Sequence, residues 1–414
     1  MLENSLEKLN ATSKDERLKA LVELNKAIET GELKKPVTNN DVNNHIHTIY
    51  SFSPYSPTKA VWTAYQSGLA AAGIVDHDSI AGAKEFIEAG KILNLATTVG
   101  FELRGDYSKT SLGNRRTNNP DQNGISYLTF HGVPHTKIDA VADFFKPINA
   151  ARELRNRAMT EKINTILSLT IDYDKDIIPL SYKHEGGSIT ERHILYGFAL
   201  KLIDEYKEGL ITYLKEMMSI PISIEEKLTD KNNQYITYDL LGLLKSEFAK
   251  EFYIKADNNE CPDIRKLIDF ANENGIIVAY PYLGDVTQSV TGDKKTQSFE
   301  DEYLDELFEV LKSIKIKAVS YMPTRNTRAQ LNRVRALCDK YDMFQISGED
   351  INNPRQRFVC EALRDPLFSN LVDNTWALIG HEQMATLDIN KTFLSSDLPL
   401  YEKINYFKSF GKTL

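Results

Sequence analysis

Short apolar, β-branched stretches of this chain end, one after another, in side chains that bind metals. The first is Asn44-His45-Ile46-His47-Thr48. Val75-Asp76-His77-Asp78, Gly100-Phe101-Glu102, Phe130-His131-Gly132 and Ser347-Gly348-Glu349-Asp350 follow. On an extended strand, side chains at i and i+2 point to one face, so His45 and His47 look into one space. Histidine is the commonest metal ligand because its ring coordinates in the neutral form near pH 7. Alone, a His-x-His pair fits a structural role as well as a metal site. Its company shifts the balance, because four of only eight histidines sit at such strand ends.

The chain around these stretches alternates. Asp41–Thr48, Leu69–Val75 and Ala96–Phe101 read as strands, with helices at Thr58–Gly68, N-capped by Thr58, and Ala81–Leu93 between them. Such alternation implies a parallel sheet. The polar stretch Asp106–Gly124 reads as a loop, of a length usually found in lids or mobile segments. A fourth strand, Ile125–Phe130, delivers His131. From about Pro134 to Glu273 the rhythm stops, and Ala150–Leu169, Ile189–Leu214 and Leu240–Phe252 carry Leu and Ile at helical spacing. It resumes with strands at Ile276–Tyr280, Lys317–Tyr321 and Met343–Ser347 and helices at Glu300–Leu311 and Ala329–Tyr341. Before all this, Ser13-Lys14-Asp15-Glu16 has the form of a capping box. Leu18, Leu21, Leu24 and Ala27 repeat at helical spacing up to Gly31 and Pro36.

Composition narrows the function classes. A formal charge of −8 offers no broad basic face for duplex nucleic acid, and Arg115-Arg116 is a short solvated cluster. The three cysteines lack C-x-x-C spacing, which argues against a disulfide scaffold or a thiolate zinc site. The chain shows no signal-peptide core and no run of 18 apolar residues, so a cytoplasmic protein without a membrane partner is expected.

The ordered set DVNNHIHT, Ser56-Pro57, IVDHDSIAG and VGFELRG, then His131, IIVAYP, AVSYMPTRN and ISGEDIN, resembles the PHP (polymerase and histidinol phosphatase) family of metal-dependent phosphoesterases. The resemblance implies a distorted (β/α)7 barrel with its chemistry at the C-terminal strand ends. The expected division is a helical extension over 1–40, barrel segments over 41–133 and 274–414, and a helical insertion or cap over 134–273.

Carried over by position, the resemblance implies that His45, His47, Glu102 and Asp350 hold one metal, that His131 joins Glu102 on a second, and that His77 belongs to a third. Three positions depart from the pattern. Phe52 stands where the family often has Asp, Tyr280 where it has the His of Ala-His-Pro, and Asn352 where it has the His of a final Asp-x-His. One or two divalent ions are therefore expected, not three. Mixed imidazole and carboxylate ligands suit Zn, Mn or Fe.

The expected activity is metal-dependent hydrolysis of a phosphoester in a small phosphorylated metabolite or nucleotide. His77 and Asp350 are the expected catalytic side chains, a protonated His77 serving as general acid. Arg192, His193, Arg104 and Arg325 are candidate phosphate contacts, because a guanidinium forks onto phosphate. His135, His184 and His381 read as surface or packing residues. Two other readings stay open: a degenerate PHP domain that binds a ligand or partner without catalysis, and a hydrolase of C–N bonds.

Overall fold

Seven strands lie in one sheet in chain order: β1 (Val42–Ile46), β2 (Ala71–His77), β3 (Ala96–Asp106), β4 (Ile125–His131), β5 (Ile277–Pro281), β6 (Ala318–Tyr321) and β7 (Phe344–Ser347). The structure is a computed structural model describing residues 2–167, 169–286 and 297–413. The sheet curls into a nearly closed barrel. The seam between its edges is a parallel bridge from Ile46 to Ile351. There His47 N donates to Ile351 O at 2.9 Å, and Ile351 N to His45 O at 3.1 Å. Gly348 makes this approach possible, since a Cβ there would lie 2.6 Å from His45 Cβ.

The expected parallel sheet needs one correction. β4 runs antiparallel to both β3 and β5, while the other pairs are parallel. The physical reason is the connection. No crossover helix separates β3 from β4, so the chain must turn back on itself. That connecting loop is packed down rather than open: Tyr107, Leu112 and Thr117 are fully buried. Asn118 bonds Tyr127 on β4 twice, donating to its carbonyl at 3.0 Å and accepting from its N–H at 2.8 Å, and donates to Pro281 O on β5 at 2.9 Å. It thereby spans strands whose own ladder is short.

Helices flank the sheet. At the N-terminus, α1 (Leu2–Lys8) packs on α2 (Lys14–Glu29), and α2 packs on α3 (Pro57–Gln66) and α4 (Ala83–Leu93). Ser13 caps α2 in backbone geometry alone, without the side-chain bond its sequence suggests. Ser56 rather than Thr58 caps α3, accepting from Lys59 N, with Pro57 in the first turn. Thr58 is drawn instead to Glu85, which also takes a bidentate bond from the fully buried Arg17 of α2. Between β4 and β5 come α5 (Ile138–Ile166), α6 (Glu191–Tyr206), α7 (Leu210–Met217), α8 (Ile222–Thr229), α9 (Ile236–Glu247), α10 (Ala249–Phe252) and α11 (Ile264–Glu273). Apart from α11 and the first half of α5, whose Ile138, Val141, Phe145 and Ile148 join the cluster around the sheet, these helices bury a separate hydrophobic cluster of their own. α12 (Leu304–Ser313) and α13 (Arg328–Tyr341) complete the outer layer. α14 (Ser369–Leu387) and α15 (Leu400–Gly411) pack together against a small core with β5, β6 and β7. No helix among the described residues is long and apolar enough to cross a membrane.

Candidate metal centre

β1 presents both rings to the barrel interior, as its alternation requires. His45 Nε2 and His47 Nε2 lie 3.2 Å apart. Glu102 Oε2 lies 3.4 Å from His45 Nε2 and 3.9 Å from His47 Nε2. These three side chains form the group of described residues able to hold an ion. Asp350, just beyond β7, is brought by the seam to 3.1 Å from His47 Nε2. His77 directs Nδ1 to Glu102 Oε2 at 3.4 Å and stacks on His47, the ring centroids 4.6 Å apart.

His131 sits one layer deeper. Because β4 is reversed, its C-terminal residue pairs with Gly100 in the body of β3, not with the strand ends. Its Nε2 is buried with no hydrogen-bond partner, and its charge neighbours are His45 and Glu102. Such an orphaned nitrogen costs free energy unless something binds it. Glu102 too lies mid-strand, since β3 continues to Asp106.

The electrostatics suit a cation. Burial, and then the charge of His45, pushes the His131 ring down to about 3. Burial likewise takes His77 down to about 3, with Glu102 opposing and His47 and Arg192 reinforcing. Burial opposes ionisation of Glu102, yet His77, His45 and His47 hold its carboxyl down to about 2. Asp350 is held well below the usual carboxylate range; burial opposes this, and the bond and charge of His47 prevail. Ionised carboxylates and the neutral rings of His77 and His131 are the protonation states that metal ligation needs. At His45, by contrast, burial is outweighed by the bond and charge of Glu102, which raise the ring so that an arriving cation would displace its proton. The neutrality of His77 means that the general-acid role expected of it does not follow from the geometry. The chain's donors thus fit a divalent ion.

Asp76 organises the turn that carries this site. It accepts from Thr48 N, Thr48 Oγ1 and Ser51 Oγ, each at 2.6 Å, and Ser51 Oγ lies 3.5 Å from His47 Nδ1. Sequence reading passes over Asp76, although its place in the Asp-His-Asp run beside His77 is the available signal.

The three departures from the family pattern have other work. Phe52 packs edge-on against His193 and lies beside Tyr196 and Tyr238, joining the β1 turn to the helical segment. Asn352 Nδ2 donates to Asp350 Oδ1 at 2.6 Å and orients that carboxylate. The Tyr280 hydroxyl accepts from Asn118 N at 3.2 Å, and its charged neighbours are Glu300, Tyr303 and Tyr107 rather than the histidines.

The candidate phosphate contacts divide. Arg192, half-buried, exerts its charge on both His77 and Asp350. His193 does not join it: its buried ring accepts from Thr190 N through Nδ1 at 3.0 Å, closing the cap of α6. Arg104 is buried and paired with Glu260 and Glu191, so it corrects to a structural ion pair. Arg325 is tied by Nε to Leu283 O at 3.1 Å. Of the remaining histidines, His135 pairs with Glu382 at 2.9 Å, His184 is exposed beside Glu185, and His381 accepts from Phe393 N at 2.9 Å.

The sequence matches no protein-family model, and no curated protein matches it. The fold is nevertheless shared with solved structures. A protein from Bifidobacterium adolescentis, assigned as a metal-dependent phosphoesterase, superposes with a TM-score of 0.52 at 18% identity, over 79% of this chain and 95% of that one. An amidohydrolase from Chromobacterium violaceum, solved with sulfate and no metal, superposes with a TM-score of 0.50 at 14% identity, over 78% of this chain and 90% of that one. The architecture is thus a distorted barrel of the kind that metal-hydrolase structures also use, with the histidine and carboxylate cluster inside it.

Proposed function

We propose that this protein is a metal-dependent hydrolase, and within that class a phosphoesterase acting on a small phosphorylated metabolite or nucleotide. The observation that carries the reading is the convergence of His45, His47, Glu102 and Asp350, beside an orphaned His131 nitrogen. His45, His47, Glu102 and Asp350 would hold one ion, and His131 would share Glu102 with a second. A bound Zn, Mn or Fe supplies Lewis acidity and lowers the pKa of water from 15.7 toward about 7. The chain's own residues do the rest. Asp76 and Ser51 fix the His47 ring, Asn352 fixes Asp350, and His77 buttresses Glu102 from the side. Arg192, whose charge acts on both His77 and Asp350, would offer a planar fork to a phosphate oxygen.

Metal analysis of protein purified without added metal tests the first half of this reading. At least one equivalent of transition metal is expected; less than about half an equivalent would favour a ligand-binding domain without catalysis. A screen of phosphomonoesters, phosphodiesters and amides tests the second half. The shared fold with an amidohydrolase makes C–N bond hydrolysis the second reading, and turnover of amides alone would establish it.

A further inference from the structure

α6 and α9 lie side by side, held at the strand ends by Phe52 between Tyr196 of α6 and Tyr238 of α9. Each helix contributes a cation without a counter-ion. Among the described residues, neither Arg192 nor Lys245 forms a hydrogen bond or an ion pair, and the Lys245 side chain is open to water. Both lie within electrostatic reach of Asp350 and of each other. The other charged groups near Lys245 are Glu191 and Asp121. Glu191 is already bonded to Arg155 and faces Arg104, and Asp350 is engaged by His47 and Asn352. Asp121, on the loop between β3 and β4, is the remaining acid, and it makes no ion pair with Lys245. The repulsion of Arg192 draws the Lys245 ammonium down to about 8, so it still carries its charge at pH 7. Two neighbouring cations left unpaired disfavour one another unless an anion joins them. Arg104, Arg152 and Arg155 nearby are all paired, so the pattern is confined to these two residues.

We infer that Lys245 and Arg192 form a two-cation seat for a dianionic tetrahedral group beside the metal centre, with Lys245 as a specificity-determining residue that favours phosphomonoesters over diesters. This rests on the phosphoesterase reading above. The test uses the full-length, metal-loaded protein, with inorganic phosphate as the calorimetric probe and a matched phosphomonoester and diester as substrates. K245A should weaken phosphate binding about 10-fold or more, as expected for loss of one charge-assisted contact. It should raise KM for the monoester more than for the diester, with kcat little changed and metal content equal to wild type. K245R should restore most of the affinity, and K245Q should repeat K245A, which separates lost charge from lost packing. Wild-type phosphate affinity and an unchanged monoester KM in K245A, at full metal content, would overturn the inference. If wild type hydrolyses no phosphoester yet K245A still loses phosphate affinity, the phosphoesterase reading falls and the anion seat stands.

Discussion

Two charged clusters lie almost side by side in this barrel, and they are built on opposite principles. In one, Arg104, Arg152 and Arg155 meet Asp78, Glu191 and Glu260. Glu260 accepts from Arg152 Nε at 3.1 Å and from Arg155 Nε at 2.5 Å, and Arg152 Nη1 lies 2.7 Å from Asp78. Every charge has an opposite neighbour, and the cluster ties α5 and the start of α6 to β3 and to the end of β2. In the other, acceptors crowd together: two imidazole nitrogens 3.2 Å apart, two carboxylates and an orphaned His131. Among the described residues no lysine or arginine is bonded to these ligands, and Arg192 and Lys245 act on Asp350 only through space. Buried charges are retained when paired or when they coordinate metals. The first cluster satisfies the rule internally, and the second would satisfy it by holding a cation.

Removing one carboxylate from each cluster breaks the comparison most sharply. E102Q should reduce metal content below one equivalent and lower kcat/KM by more than about 100-fold, beyond the roughly 10–100-fold typical of residues that merely orient ligands. Its urea midpoint, measured in metal-free buffer, should stay near wild type. E260Q should do the reverse, because it leaves arginines buried without their partner. A loss of about 3–5 kcal/mol is expected in urea unfolding, the usual consequence of breaking a buried pair. Equal effects of both variants on metal content would erase the distinction.

Asp76 sharpens the picture, since it holds the turn that carries His47 without being one of the candidate ligands. D76N should lower metal affinity by roughly 10–100-fold by freeing the turn that orients His47, with metal affinity read by competition against a chelator. Retention of full affinity would assign Asp76 to fold alone.

Glu300 supplies a buried acid of neither kind. It accepts from Leu283 N at 2.8 Å but has no cation beside it among the described residues, and burial pushes it from 4.5 up to about 8. The folded chain therefore holds a proton that the unfolded chain releases. This contribution to stability is full below about pH 4.5 and is lost as pH rises toward 8. Comparing E300Q with wild type by urea unfolding at pH 6 and pH 8 should show a flatter pH dependence, by about 1–2 kcal/mol. Parallel slopes would show that Glu300 is ionised throughout.

The strand positions, the helices of the middle segment and the residues around the centre were legible because periodicity and residue type carry them. Partnership was not. Arg104 and Arg192 look alike in sequence, and only the fold reveals that Glu260, far along the chain, neutralises the first. The reversal of β4 escaped for a similar reason: alternation reports strands, while direction depends on what the connection can span. His131 was thus placed at a rim when it lies below one. Lys245 gave no signal, because a lysine on an amphipathic helix is ordinarily solvated, and its meaning arises from α6 and the β1 turn packed against it.

The join between the barrel's first and last strands has a consequence for how the molecule comes apart. A short bridge at Ile46 and Ile351, with Asn44 Nδ2 donating to Ser347 O at 2.8 Å, fastens those edges, and His45 and His47 stand on one lip while Asp350 stands on the other. An ion gripped from both lips would act as a buckle. Chelation should then unfasten this edge first, with amide exchange at His47 and Ile351 quickening before the opposite wall loosens, and the melting temperature climbing with metal concentration as mass action requires.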